Sequence, residues 1–230
     1  MVAQNVDTIR RRIAAACDRA GRQPHEITLV AVSKTVGSGP IGDAVRAGII
    51  DFGENFVQEL LRKREELPAE GIRWHFIGHL QSNKVKNIIE WVHLVHSVDS
   101  LSLGSEISKR ALAAGRTAEI LVEVNSTGET TKFGLRPGEL PGFVERLRRL
   151  PNVNIAGLMT VGPFLPDPES SRPSFRLMRT LQEGLAKEGL ELPHLSMGMT
   201  NDFEVAIEEG ATILRIGTAI FGPRAKAANN

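Results

Sequence analysis

The 230-residue sequence has no tyrosine, a lone cysteine, no excess of charge of either sign and no long apolar run. Each absence removes a class of protein. With Cys17 alone there is no internal disulfide, which suits a reducing compartment. Cys17 lies in an alanine-rich helical stretch and reads as a small packed residue. No span is long enough for a bilayer and the N-terminus has no signal-peptide core, so a cytoplasmic protein with no membrane partner is expected. Lys and Arg number 28 against 27 Asp and Glu, which leaves no electrostatic footprint for nucleic acid. The clusters Arg10-Arg11-Arg12 and Arg146, Arg148 and Arg149 fall in helical patterns, where a solvated face accounts for them. No G-x-G-x-x-G follows the first strand, which speaks against a dinucleotide fold.

What is present is alternation. Hydrophobic residues make up 41% of the chain, enough for one large domain over residues 1–230, with 225–230 expected to fray. Apolar runs predict strands at Thr28–Lys34, Ile49–Gly53, Arg73–Ile77, Leu94–Val98, Ala118–Val124, Asn154–Met159, His194–Met197 and Ile213–Ile216. Amphipathic stretches predict helices between them, at about Ile41–Ala47, Val57–Glu66, Ser82–Glu90, Ser102–Ala114, Pro137–Arg149, Ser174–Lys187 and Asp202–Glu209, with one more over Val6–Ala20 before the first strand. Eight strands alternating with helices predict an α/β fold, a single (β/α)₈ TIM-type barrel; an open doubly wound sheet is the alternative. The stretch Gly162–Pro173 holds four prolines and is expected to be a mobile loop after strand six.

In such a barrel the C-terminal ends of the strands carry the site. The first strand runs into Lys34, a residue with no structural use there. Partial desolvation lowers an ammonium pKa, and a neutral amine attacks carbonyls; a solvated lysine at a strand end is the plain alternative. Ser196-Met197-Gly198-Met199-Thr200 after strand seven and Arg215-Ile216-Gly217-Thr218-Ala219 after strand eight have the composition of a phosphate cradle. Arg215 shares a face with Gly217, so its guanidinium requires an acceptor, either a carboxylate such as Glu123 or a ligand atom. His75 and His79 fit no standard zinc spacing and read as packed or hydrogen-bonded residues, so no metal is expected.

Six segments occur in register: Ala31–Thr35, Phe52–Asn55, Trp74–Lys84, Gly157–Thr160, Ser196–Thr200 and Arg215–Gly222. Together, over about Val6 to Arg224, they resemble the pyridoxal 5′-phosphate (PLP) homeostasis protein family. The resemblance implies a barrel like the N-terminal domain of alanine racemase, with PLP bound as a Schiff base. It implies Lys34 as the Schiff-base lysine and Ser196, Gly198, Thr200, Gly217 and Thr218 around the phosphate. It also implies Arg215 facing the pyridine nitrogen, with Asn55 and Met159 near the ring and His75 as a further neighbour. The family's usual serine after Gly-Met is Thr200 here, which keeps the hydroxyl. Racemases of the related fold use a tyrosine from a second domain, and this sequence offers neither. A carrier of PLP, monomeric and supplying PLP-dependent apo-enzymes, is therefore the expectation. A racemase-like PLP enzyme and a cofactor-free Schiff-base lyase remain the alternatives.

Overall fold

The structure, a computed structural model, describes residues 1–67 and 71–223; the expected fraying of 225–230 lies outside these. Among the described residues eight parallel strands close into a barrel in sequence order: β1 (Thr28–Val32), β2 (Asp51–Glu54), β3 (Arg73–Phe76), β4 (Leu94–Val98), β5 (Ala118–Glu123), β6 (Val153–Met159), β7 (His194–Ser196) and β8 (Ile213–Ile216). Closure is by β1 on β8, with Thr28 opposite Ile213 and Ala31 opposite Ile216. The helices are α1 (Val2–Ala20), α2 (Ser38–Arg46), α3 (Val57–Glu66), α4 (Leu101–Ala113), α5 (Leu140–Leu147), α6 (Arg172–Lys187), α7 (Phe203–Glu208) and α8 (Thr218–Phe221). The (β/α)₈ expectation is met, with α1 as the additional N-terminal helix. Val6, Ile9, Ile13, Ala16 and Cys17 recur at helical spacing on the buried face of α1, which packs on α2, α7 and α8. No helix of the described residues is long and apolar enough to cross a membrane.

Departures from the sequence reading have local causes. Strand β1 stops at Val32, not Lys34, because Val36 N–H donates to Ser33 O at 2.8 Å and Thr35 adopts φ +62°, closing a turn around Lys34. Residues 82–90, expected as an α-helix, form a 3₁₀ turn over Ser82–Asn87. The helix expected from Pro137 begins with a 3₁₀ turn at Pro137–Glu139 and becomes α-helical at Leu140. The proline-rich stretch is more ordered than its composition suggested. The Asp167 carboxylate accepts from Glu169 N–H, Pro168 opens a 3₁₀ turn, and Pro173 sits in the first turn of α6, where its missing N–H costs nothing. The short α8, which brings a run of backbone N–H groups to the end of β8, was not visible as periodicity.

Two apolar clusters result. The larger fills the layer between strands and helices and includes Phe52, Leu60, Phe76, Ile88, Ile107 and Phe203. A smaller one lies within the barrel and contains Val30, Leu94, Leu121, Ala156, Met159 and Ile213. The rest of the barrel interior is polar: Asp51, His75, His96, Ser196, Glu123 and Arg215 are all buried.

Candidate functional site

Among the described residues, cavities of about 520 Å³ lie at each end of the barrel, within the roughly 300–1,000 Å³ of small-ligand sites. One lies against the N-terminal ends of the strands, beside Arg10, Asp51 and Arg73. The other opens at the C-terminal ends and gathers the sequence motifs: Lys34, Asn55, Thr200, Arg215, Gly217 and Thr218 line it, with Asp202, Ile77 and the loop residues Val161, Pro163, Phe164 and Leu165. Six of the ten expected site residues thus meet in one cavity. Met159, Ser196, Gly198 and His75 do not line it.

Each of those four sits one layer behind. Met159 packs in the apolar cluster within the barrel. Gly198 has φ +92°, and a Cβ there would stand 2.6 Å from Ala206 Cβ and 3.1 Å from Phe203 Cα, so glycine is what lets α7 approach the β7 loop. Gly198 O accepts from Arg215 N–H at 3.0 Å. Ser196 and His75 belong to a buried hydrogen-bonded chain. Arg215 Nη1 donates to Ser196 Oγ at 2.6 Å, and Ser196 Oγ pairs with His96 Nδ1 at 2.9 Å. His96 Nε2 pairs with His75 Nδ1 at 2.9 Å, and His75 Nε2 with Asp51 Oδ1 at 2.9 Å. A guanidinium can only donate and an ionised carboxylate can only accept, so Arg215 donates to Ser196 at one end and His75 Nε2–H donates to Asp51 at the other, while the direction of the two bonds between them follows the tautomers of the histidines. Burial holds His96 well below the usual imidazole range, and it is neutral. Burial works against ionisation of Asp51, but His75 and Arg73 outweigh it and keep the carboxyl below its ordinary value.

Arg215 also donates through Nη2 to Thr160 O at 2.7 Å. Its close acceptors are therefore a hydroxyl and a carbonyl, and the expected carboxylate, Glu123, acts at longer range. Burial lowers Arg215 to about 10, so it stays charged at neutral pH. Burial, with Asp99 adding to it, raises Glu123 to about 7. Other features fit a polar ligand. Asn55 Oδ1 is buried in the cavity wall with no hydrogen-bond partner among the described residues, an acceptor that a ligand hydroxyl or N–H would satisfy. A Cβ on Gly78 would lie 2.2 Å from Asn55 O, so only glycine admits the backbone that sets Asn55 in place. Ala219 N–H lies 3.4 Å from Thr200 Oγ1, which joins the two halves of the expected cradle. An amine, two hydroxyls, backbone N–H groups and a buried guanidinium around one small cavity suit an aldehyde-bearing, phosphorylated, heteroaromatic ligand.

His96 was not singled out in the sequence. Its signal is an imidazole in the middle of the apolar run Leu94–Val98, and a register shift on β4 between Val95 and Val98 blurs the alternation that would have assigned its face.

Fold and site together define a ligand-binding barrel of the alanine racemase N-terminal type. The model of the family "Alanine racemase, N-terminal domain" matches residues 4–225. An alanine racemase of Clostridium difficile 630 superposes with a TM-score of 0.76 at 15% identity over 98% of this chain and 57% of its own, a likeness of fold. More specific is the pyridoxal phosphate homeostasis protein of Aquifex aeolicus, 48% identical over 222 residues, covering 96% of this chain and 97% of the relative. PipY of Synechococcus elongatus, in a structure with PLP bound, superposes with a TM-score of 0.85 at 32% identity over 96% of this chain and 100% of its own. The chain belongs to the pyridoxal phosphate homeostasis protein family.

Proposed function

We propose that the protein carries PLP on Lys34 in the cytoplasm and passes it to PLP-dependent apo-enzymes, as a monomeric single-barrel carrier and buffer rather than an enzyme. It binds PLP and takes part in PLP homeostasis, as its family does. The bound group supplies an aldehyde, which a neutral amine captures as a Schiff base. The chain supplies the rest. Lys34 is half-buried at the cavity wall and provides the amine. Thr200 and Thr218, with backbone N–H groups at Gly217 and the start of α8, provide the phosphate donors. Asn55 Oδ1 provides an acceptor, and Arg215, fixed by Ser196 and Thr160, holds a positive charge that disfavours protonation of a ring nitrogen facing it.

The observation that carries the non-enzymatic reading is the shortage of proton-transfer groups. The ionisable residues of the cavity wall are Lys34, Asp202 and Arg215. Arg215 keeps its proton. The Asp202 carboxylate is occupied by Met199 N–H at 2.7 Å and the Ser171 hydroxyl at 2.8 Å. The sequence has no tyrosine to stand opposite the lysine. Moving a proton across a substrate carbon by the two-base route takes a second proton-transfer group on the far face.

The test is spectroscopic. Purified protein titrated with PLP is expected to show a visible band that borohydride bleaches, leaving a phosphopyridoxyl group on Lys34; Lys34→Ala is expected to remain folded and lose both. Labelling elsewhere overturns the role of Lys34. Sustained racemisation of alanine by loaded protein would establish the enzyme instead, and a colourless protein trapped by borohydride on a sugar phosphate would restore the lyase.

A further inference from the structure

Behind Lys34, on the side away from the cavity, lies a lysine that takes no part in the site described above. Lys63, on α3, is fully buried. Its ammonium donates to three oxygens: Ser33 O at 2.5 Å, Glu59 Oε1 at 2.8 Å and Glu54 Oε1. A buried ammonium persists only when each of its protons is received, and here the three acceptors match the three N–H bonds. Two of those acceptors reach back to the chain around Lys34. Glu54 Oε1 also receives the Ser33 hydroxyl at 2.7 Å. Glu59 Oε1 also receives Thr35 N–H at 2.6 Å.

The residues immediately before and after Lys34 are therefore both tied to one ammonium. Ser33 is held through its carbonyl and, by way of Glu54, its hydroxyl; Thr35 is held through its amide by way of Glu59. Thr35 has φ +62°, a left-handed conformation that a β-branched residue resists. The bond from Thr35 N–H to Glu59 opposes relaxation of that conformation. The opposite edge of the turn is fixed by Ser33 N–H on Gly53 O at 3.0 Å.

We propose that Lys63, through Glu54 and Glu59, is a positioning residue for covalent capture of PLP: it locks the turn Ser33-Lys34-Thr35, so that the Lys34 amine is presented to the aldehyde without a search. This rests on the reading of Lys34 as the PLP lysine. Lys63 does not line the cavity, and it acts on Lys34 through the residues on either side of it. Misplacing a reacting atom by about 1 Å can cost on the order of 100-fold in reaction.

The design separates capture from docking with two ligands. PLP has the aldehyde; pyridoxine 5′-phosphate has the same ring and phosphate with an alcohol in its place, and binds only non-covalently. Lys63→Met is the first variant. Because it leaves the buried Glu54 and the half-buried Glu59 without their cation, Glu59→Ala is the second; it frees Thr35 N–H and keeps the Lys63–Glu54 pair. Both are compared with the parent and with Lys34→Ala for affinity of each ligand and for the rate at which borohydride-fixed label appears on residue 34. Expected is a fall of about 10- to 100-fold in PLP affinity and capture rate, with pyridoxine phosphate affinity within about twofold of the parent. If Lys63→Met does not fold, Glu59→Ala decides. Equal losses for both ligands, or no loss for either, overturn the positioning role while leaving Lys34 in place. A parent protein without label on Lys34 overturns the reading of Lys34 and the positioning role together.

Discussion

Outside the strands, Phe52, Leu60, Phe76, Ile88 and Ile107 fill the space under the helices with carbon. Inside the barrel, at the same depth of burial, Asp51, His75, His96, Ser196 and Arg215 run as one hydrogen-bonded chain beside a small apolar cluster. The outer layer is stabilised by area removed from water, and any well-shaped apolar side chain can contribute. The inner chain is stabilised only while every member has its partner, because a buried donor or acceptor without one loses its whole hydration. The contrast separates the part of the fold that holds the molecule together from the part that aims Arg215. The outer layer is tolerant in identity and demanding in volume. The inner chain is demanding in identity, because each member must offer a donor or an acceptor to both neighbours.

Substitutions in the two regions are expected to differ in kind. The largest effect on stability is expected in the outer layer. Ile107→Ala, on α4 and far from the cavity, is expected to cost about 2–5 kcal/mol. The denaturant midpoint is expected to fall while the folded protein binds PLP with parental affinity; a loss of affinity as well would mean that the two regions are not independent. Next comes Glu123, whose carboxyl, raised to about 7, ionises less readily folded than unfolded. Its stabilising contribution is complete below about pH 4.5 and is lost as pH rises through about 7, amounting to up to about 3 kcal/mol. Glu123→Gln is expected to remove that decline, so that the variant pulls ahead of the parent between pH 5 and pH 8 in urea melts without ligand; parallel pH profiles would refute the assignment. His96 has the opposite sign. It is neutral when folded, so its contribution is present above about pH 6.5 and is lost as pH falls and the unfolded chain takes up the proton. His96→Leu leaves His75 Nδ1 without a partner and Ser196 Oγ with Arg215 alone, at a cost of about 1–3 kcal/mol. It is also expected to shift the absorption of bound PLP, because Arg215 loses the support behind Ser196. A destabilised variant with an unshifted spectrum would reduce the chain to packing.

Much of the fold was legible. All eight strands and the helices α1 to α7 lie near their predicted places, because the outer layer obliges apolar residues to recur with the period of each element. The motif residues at the strand ends were legible for a different reason: glycine, threonine and lysine directly after a β-branched run have no packing role, and a barrel collects them on one face. Lys34, Asn55, Thr200, Arg215, Gly217 and Thr218, singled out on that basis, line one cavity. Ser196, expected beside the phosphate, accepts from Arg215, and a strand-end hydroxyl looks the same in sequence whether it meets a phosphate or a guanidinium. His75 was placed near the ring and lies a layer deeper, bonded to Asp51 at the other end of the barrel.

Lys63 shows where local pattern ends. In the sequence, Glu59 and Lys63 are four residues apart on a helix, the signature of an exposed ion pair of little consequence. In the structure the ammonium is fully buried and holds the turn that carries Lys34. The sequence by itself determined the alternation of elements and the set of residues at the strand ends, because hydrophobic period and strand-end chemistry are local properties; closure of β1 on β8 is a pairing between the two ends of the sheet. Only the tertiary structure decided which polar residues line the cavity and which face each other. That choice depends on the stagger of neighbouring strands and on the seating of α3 behind β1 and β2, distances set by packing between segments far apart in the chain.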